Sequence, residues 1–171
     1  MNAKYLSEFV YGGIDGTITT MAIVAGSAGA GFSPSVVLIL GLANVFADGF
    51  SMAVGRYLSV KAEQEQGRNL DLNPIMSGLA TMISFILIGM IPLLSFIWAY
   101  FYTHKSDQHT YLYAYILTAI AFFFVGAYKS KFVNKSFMQS GMETLIIGGT
   151  GALIAYSIGY YLQGLSKPVS K

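Results

Sequence analysis

Asn44, Asp48, Met52 and Arg56 recur every four residues in LANVFADGFSMAVGRYLS, residues 42–59. At 3.6 residues per turn, that spacing sets an amide, a carboxylate, a thioether and a guanidinium along one slowly drifting stripe of a helix. The stretch is otherwise apolar, and no cation stands within seven residues of Asp48. A carboxylate holds either a metal ion or a proton, and a neighbouring thioether favours a borderline-soft transition ion over Mg²⁺ or Ca²⁺. The chemistry expected of the stripe is cation binding with exchange against protons. Ala43, Ala47, Ser51 and Gly55 form a second stripe beside it, a small-residue surface that lets another helix come close.

Two further acids, Asp15 and Glu143, fall in apolar surroundings. An ionised side chain near a bilayer centre costs about 2.5–3.5 kcal/mol on insertion scales, so such a residue usually faces a bundle interior or a watery path. Gly12 and Gly16 make a GxxxG step beside Asp15. The plain alternative is that each acid reaches water or a lysine at a helix end, and Glu143 has Lys135 a short loop away. Elsewhere the plain readings are preferred. His104, His109 and Asp107 in THKSDQHT form a solvated loop rather than a metal site. Glu63 and Glu65 in KAEQEQ mark a solvated helix end, with Lys61 and Glu65 spaced as an i,i+4 pair. The glycines of IIGGTG and TGALIAYSIG are close-packing positions, since no strand or lysine accompanies them as in a phosphate loop.

The elements that must position these residues follow from the charge pattern. Runs without any Asp, Glu, Lys or Arg cover 16–47, 72–104, 108–128 and 144–166, each long enough for a ~30 Å hydrocarbon core. They are apolar on every face, which excludes the alternating strands of a membrane barrel. The first run is too long for one span and is divided by GSAGAGFSP, residues 26–34, into a tight hairpin. The expected architecture is an all-α integral membrane protein with one transmembrane domain over 1–171. Its five helices fall at about 8–28, 35–59, 74–100, 111–128 and 138–162, with a kink at Pro92. Helix 2 is expected to run past the membrane into KAEQEQGR.

Five spans put the termini on opposite sides. With the N-terminus inside, seven cations (Lys4, Arg56, Lys61, Arg68, Lys129, Lys131 and Lys135) lie inside and three (Lys105, Lys167 and Lys171) outside. That asymmetry favours N-in, C-out. Trp98, Tyr100, Tyr102, Tyr111, Tyr113, Tyr160 and Tyr161 then gather at the outer interface, where amphipathic rings settle. The chain is 54% hydrophobic and 11% charged, far below the roughly 25% charged of soluble domains. The absence of cysteine excludes disulfides and thiolate sites, and a net charge of +2 is too small to suggest nucleic acid. The start lacks a basic region followed by an apolar one, so no cleaved signal peptide is expected. A compact chain of this kind points to a bacterial plasma membrane. No nucleophile–base pair or cofactor motif suggests an enzyme.

The segments YGGIDGTITTMAIVAGSAGAG (11–31) and LANVFADGFSMAVGRYLS (42–59) resemble the first two spans of the vacuolar iron transporter family. The resemblance continues through SFILIGMIPLLSF (84–96) and GMETLIIGGTGALIAYSIG (141–159). It implies a five-helix protomer acting as a homodimer, with a metal path between helices 1 and 2 of the two subunits. It also implies movement of Fe²⁺, or Mn²⁺, out of the cytoplasm in exchange for protons, with no permanently bound cofactor. Carried over by position, Asp15 matches the transport carboxylate of helix 1 and Met52 the thioether ligand of helix 2. Asp48 matches the acid of the ADG motif, and Glu143 the acid that opens the last span. Asn44, on the same stripe, joins them along the path.

Two departures stand out. Family members with a helical cytoplasmic insert between spans 2 and 3, rich in Glu and Met, have no counterpart here, where the interval is only KAEQEQGRNLDLN. The glutamate that often follows ADG-SM is Arg56. A cation at the mouth repels a divalent metal unless Glu8, Glu63 or Glu65 neutralises it. Two rivals remain open at this point: an uncoupled cation or proton channel on the same scaffold, and a packing protein whose acids merely pair with basic residues.

Overall fold

A lipid-embedded chain must satisfy its backbone polar groups internally, which a helix does within a single segment. The computed structural model describes residues 3–103, 109–130 and 135–166, and every regular element among them is helical. We label these α1 (Leu6–Gly29), α2 (Pro34–Glu65), α3 (Pro74–Gly89), α4 (Leu94–Trp98), α5 (His109–Lys129) and α6 (Phe137–Leu162). Five helical spans are long and apolar enough to cross a membrane, with α3, α4 and the turns joined to them making up the third. The chain is a multi-pass integral membrane protein.

Local chemistry sets the helix starts. Pro34 and Pro74 lie in first turns, where a missing N–H costs nothing. The Asn73 carboxamide oxygen accepts from the Ile75 and Met76 amides at 2.9 and 3.2 Å. Ser136 and Gln139 form a reciprocal capping box at α6. Between α1 and α2 the turn is confined to residues 30–33, with Gly31 at φ +71°, a left-handed conformation that glycine adopts without strain. The Tyr111 hydroxyl donates to the Phe32 carbonyl at 2.8 Å and pins this turn to α5.

The third span is not one continuous helix. It breaks after Gly89 into a 3₁₀ turn, Ile91–Leu93, before α4 and a π turn over Ala99–Thr103. Pro92 has no N–H to donate, and its ring excludes the carbonyl four residues back. The Leu93 amide therefore bonds to Met90, three residues back, at 2.9 Å. The break directs Leu93 into the core against Gly41 of α2.

The central helix is α1, which packs on α3 and α6 and also touches α2 and α5. Residue pairings fix the directions. Gly12 and Gly16 meet Thr81 and Phe85 in rising order, as Gly26 and Gly29 meet Ala155 and Tyr156, so α1 runs parallel to α3 and α6. The α2–α3 and α5–α6 pairs are antiparallel, with Gly41 on Leu93 and Gly78 on Ala53, and Gly126 on Thr144 and Gly148 on Phe122. Several of these approaches leave no room for a side chain. A Cβ on Gly16 would enter the Phe85 carbonyl, and one on Gly159 would enter the Gly26 carbonyl. The apolar core joins Met21, Val24 and Ala25 of α1 to Val37, Val45, Leu93, Phe96, Ala114 and Phe122. The edge helices α2 and α6 turn Ile39, Phe50 and Leu153 outward, each more than 60% exposed within the chain, as lipid-facing residues should be.

Candidate functional site

The α2 stripe lies at the border between packed and open surface. Asn44, Asp48, Met52 and Arg56 are all half-buried, whereas Ala43, Ala47, Ser51 and Gly55 are all exposed. Nothing lies within 4 Å of a Cβ built on Gly55. The small-residue surface therefore stands uncovered among the described residues. The packing of α2 within the chain uses the next face, where Val45 and Gly49 are buried and Gly49 sits against Phe85 and Ile86 of α3.

On α1, the GxxxG step does its work toward α3. A Cβ on Gly12 would strike the Thr81 carbonyl and the Ser84 hydroxyl, and one on Gly89 would come within 3.0 Å of the Gly16 carbonyl oxygen. That seam holds α1 on α3 and leaves half-buried Asp15 on the neighbouring face. Asp15 and Asp48 lie near enough for their charges to act on each other. Two acids thus come near each other from separate membrane spans, where repulsion between carboxylates is weakly screened. The Asn44 side-chain nitrogen, one turn from Asp48, is buried and has no hydrogen-bond partner among the described residues.

Met52, one turn from Asp48 in the other direction, faces a cleft of about 580 Å³ between α1 and α2. Ser7, Glu8, Tyr11, Ser51, Gly55, Arg56 and Ser59 complete its lining. Seven residues separate Glu8 from Asp15, so Glu8 lies about 10 Å along α1 from that acid, while Tyr11 and Met52 bring the cleft to within about one turn of Asp15 and Asp48.

The end of the cleft away from Asp15 is lined by an ion pair. Glu8 is only 2% exposed. Its Oε1 accepts from Arg56 Nη2 at 2.7 Å and from Nε at 3.2 Å, while its Oε2 accepts from Ser7 at 2.8 Å. Arg56 Nη1 also reaches Glu63 at 3.5 Å. Glu63 in turn accepts from Ser59 at 3.1 Å and from Asn69 at 2.6 Å. The short α2–α3 link is fastened to the first turn of the chain, with Lys4 on Asp71 at 3.4 Å and the Asn73 amide donating to Tyr5 at 3.2 Å. Polar contacts therefore run from the link through Glu63, Arg56 and Glu8 to Ser7.

Other expected residues lie elsewhere. Glu143 does not line the cleft; it is held by Lys135 at 2.8 Å and Lys129 at 3.7 Å. Glu65 is exposed, and Lys61 turns to the Tyr57 ring, 5.7 Å from its centroid, rather than to Glu65. Of the loop histidines, His109 opens α5, while His104 and Asp107 lie outside the described residues. No three His, Cys, Asp or Glu side chains come together as a metal cluster among the described residues. A cation held by one protomer would thus have at most two such side chains and would complete its shell with Met52, backbone or water oxygens, or groups from a second copy of the chain. Ser7, Tyr11 and Ser59 were not singled out from the sequence. They carry no signal there beyond Ser59 lying one turn before Glu63.

Comparison with known proteins places this geometry in context. A family model described as the VIT family matches residues 6–71 and 64–160. The vacuolar iron transporter of Toxoplasma gondii (strain ATCC 50861 / VEG) is 27% identical, over 95% of this chain and 76% of its own length. Vacuolar iron transporter 1 of Oryza sativa subsp. japonica is 23% identical, over 95% of this chain and 87% of its own. Vacuolar iron transporter 1 of Eucalyptus grandis is 40% identical over a shorter stretch of 62 residues, 36% of this chain and 25% of its own. The Toxoplasma alignment extends over 228 positions although this chain has 171 residues, so that relative carries segments with no counterpart here. The two family matches meet at 64–71, the end of α2 and the start of the fastened link.

Proposed function

This chain belongs to the VIT family, and from that premise we propose that it carries divalent transition-metal ions, Fe²⁺ and also Mn²⁺, out of the cytoplasm. One observation carries the reading: half-buried Asp15 and Asp48, on two membrane-spanning helices, are near enough for their charges to interact, with Met52 one turn from Asp48 lining a cleft. The iron transporters named among its relatives support the choice of ion. In this reading the metal enters by the cleft, meets the Met52 thioether, and passes to the two carboxylates. A softer donor beside hard oxygen selects transition ions over Mg²⁺. A cation between the two acids relieves the repulsion that a weakly screened site otherwise leaves between them. Arrival of the metal releases a proton, and its departure takes one back, which makes the transport an exchange.

The path is completed by a second copy of the chain. The uncovered Ala43, Ala47, Ser51 and Gly55 surface supports a homodimer joined along α2, bringing a second set of Asp15, Asp48 and Met52 to one axis. Asn44, with its unpartnered nitrogen, lines the path beyond Asp48. Glu8, Arg56, Glu63 and Glu65 belong to the mouth. Glu143, held by two lysines, contributes to the charge of the inner surface rather than to the ion's route. The mouth faces the cytoplasm in the N-in, C-out orientation favoured by the positive charges, in a bacterial plasma membrane.

Purified protein in liposomes tests this directly. An imposed pH difference should drive Fe²⁺ or Mn²⁺ uptake, with a matching lumenal pH change when metal alone is supplied. Metal flux without proton movement would replace the exchanger by a channel. Absence of flux, with Asp15→Ala and Met52→Ala behaving like wild type in every assay, would leave only a packing protein.

A further inference from the structure

Glu8 is a nearly fully buried carboxylate, and such a group must have a cation beside it or take up a proton. Arg56 supplies that cation by two nitrogens on one oxygen, Oε1, while Ser7 holds the other. There is accordingly one cation seat at this end of the cleft, and a side chain tethered to α2 fills it. The same guanidinium has a second acid within reach. Glu63 stands 3.5 Å from Nη1 and is more open, its side chain being 24% exposed against 1% for Glu8. Asn69 and Ser59 hold the Glu63 carboxylate in place. One arginine thus lies between an inner, buried acid and an outer, half-exposed one. Met52 lines the same cleft one helical turn from Arg56.

We propose that Arg56 is a tethered competitor for the incoming metal ion. It occupies the Glu8 seat at rest and moves outward onto Glu63 when a divalent cation takes that seat on its way to Met52. This rests on the transport reading and adds a residue that sets apparent affinity. A guanidinium on a buried carboxylate lowers apparent metal affinity, because the metal must displace charge-assisted hydrogen bonds to bind. Once moved, the positive charge stays at the rim, where Glu63 neutralises it and keeps it from repelling the next ion. Glu8 positions the entering ion and Arg56 regulates its entry.

The test uses the wild-type chain in proteoliposomes with Mn²⁺ as the probe. Arg56 and Arg68 are the only arginines, so phenylglyoxal labelling followed by peptide mapping gives Arg56 an internal reference. The expected result is that Mn²⁺ at concentrations saturating uptake raises Arg56 labelling severalfold relative to Arg68. Glu8→Gln should label fast with or without metal. Arg56→Gln should lower the apparent KM for Mn²⁺ by about tenfold, the scale of one lost charge-assisted bond, and that gain should vanish in the Glu8→Gln/Arg56→Gln double variant. Uptake by wild type with flat or falling Arg56 reactivity overturns the proposal and leaves the transport reading intact. Absence of uptake by wild type removes both. The labelling arm needs no variant, so a misfolded Arg56→Gln protein does not rescue the idea.

Discussion

Asp15 on α1 and Asp48 on α2, both half-buried in spans long and apolar enough to cross a membrane, lie close enough for each charge to act on the other. Among the described residues neither acid appears in a hydrogen bond or ion pair with a basic side chain, in contrast to Glu8 and Glu143, which are both held by cations. The arrangement opposes folding when both are ionised, so its persistence in the fold has to be balanced elsewhere.

Neutralising either member should separate stability from transport. Asp15→Asn and Asp48→Asn each remove a like-charge contact, and we expect thermal stability equal to or above wild type. Metal uptake should fall by about tenfold or more, the effect of losing at least ~1.4 kcal/mol of ion binding. Melting curves and Mn²⁺ flux on the same preparations check both halves. A parallel loss of folding and flux would contradict it.

Met52→Leu keeps much of the volume and removes the sulfur. Volume-conserving swaps in packed sites usually cost under ~1.5 kcal/mol, so the protein should fold. Discrimination of Fe²⁺ against Mg²⁺ should decline, read as competition by millimolar Mg²⁺ in the uptake assay. Unchanged competition would remove the thioether from the path.

Arg56→Gln leaves Glu8 buried without its cation. Breaking a fully buried pair costs roughly 3–5 kcal/mol; with Arg56 about a quarter exposed, we expect about 2 kcal/mol. Added Mn²⁺ should restore stability more in this variant than in wild type, since a ligand that binds only the folded state stabilises it in proportion to its affinity. Thermal shift with and without Mn²⁺ decides this.

Gly16→Leu and Gly55→Leu should behave oppositely. At Gly16 the side chain would meet the Phe85 backbone, and overpacking of this kind costs about 1–3 kcal/mol or more. At Gly55 nothing lies within 4 Å, and leucine is the better helix former by under ~1 kcal/mol. The protomer should therefore fold as well or better, while a dimer joined along α2 should come apart. Light scattering in detergent measures this, and an unchanged particle mass would exclude the surface from the dimer contact.

Much of this fold is visible in local pattern, and the site only in part. The charge-free runs mark the spans, and the four-residue recurrence from Asn44 to Arg56 marks a helix face, because both depend on neighbours along the chain. Pro92 signals a break but not its form, since the 3₁₀ turn and the placing of Leu93 depend on Gly41 of another helix. The small-residue stripe and the GxxxG step look alike as sequence. One stays open on α2 and the other is spent on α3, a difference set by packing. For Arg56 the sequence offers Glu8, Glu63 and Glu65 as neutralising acids without choosing among them, because Glu8 stands 48 positions earlier and Glu63 seven later, and only packing brings both to the guanidinium. The lysines that hold Glu143 show the same limit over a shorter range, with only Lys135 near enough in sequence to be suspected.

That interval of 48 positions also has a consequence for biogenesis. At roughly 5–20 residues per second on the ribosome, Glu8 is made about 2–10 s before the arginine that neutralises it. During that time α1 carries Glu8 and Asp15 with no tethered counter-charge from α2 available. Entering the bilayer alone would expose both acids to lipid, whereas entering with α2 as a hairpin delivers Arg56 at the same moment. The expected outcome is that the first two helices insert as one event, so that chains truncated after α1 insert far less efficiently than those truncated after α2 when scored by site-specific glycosylation.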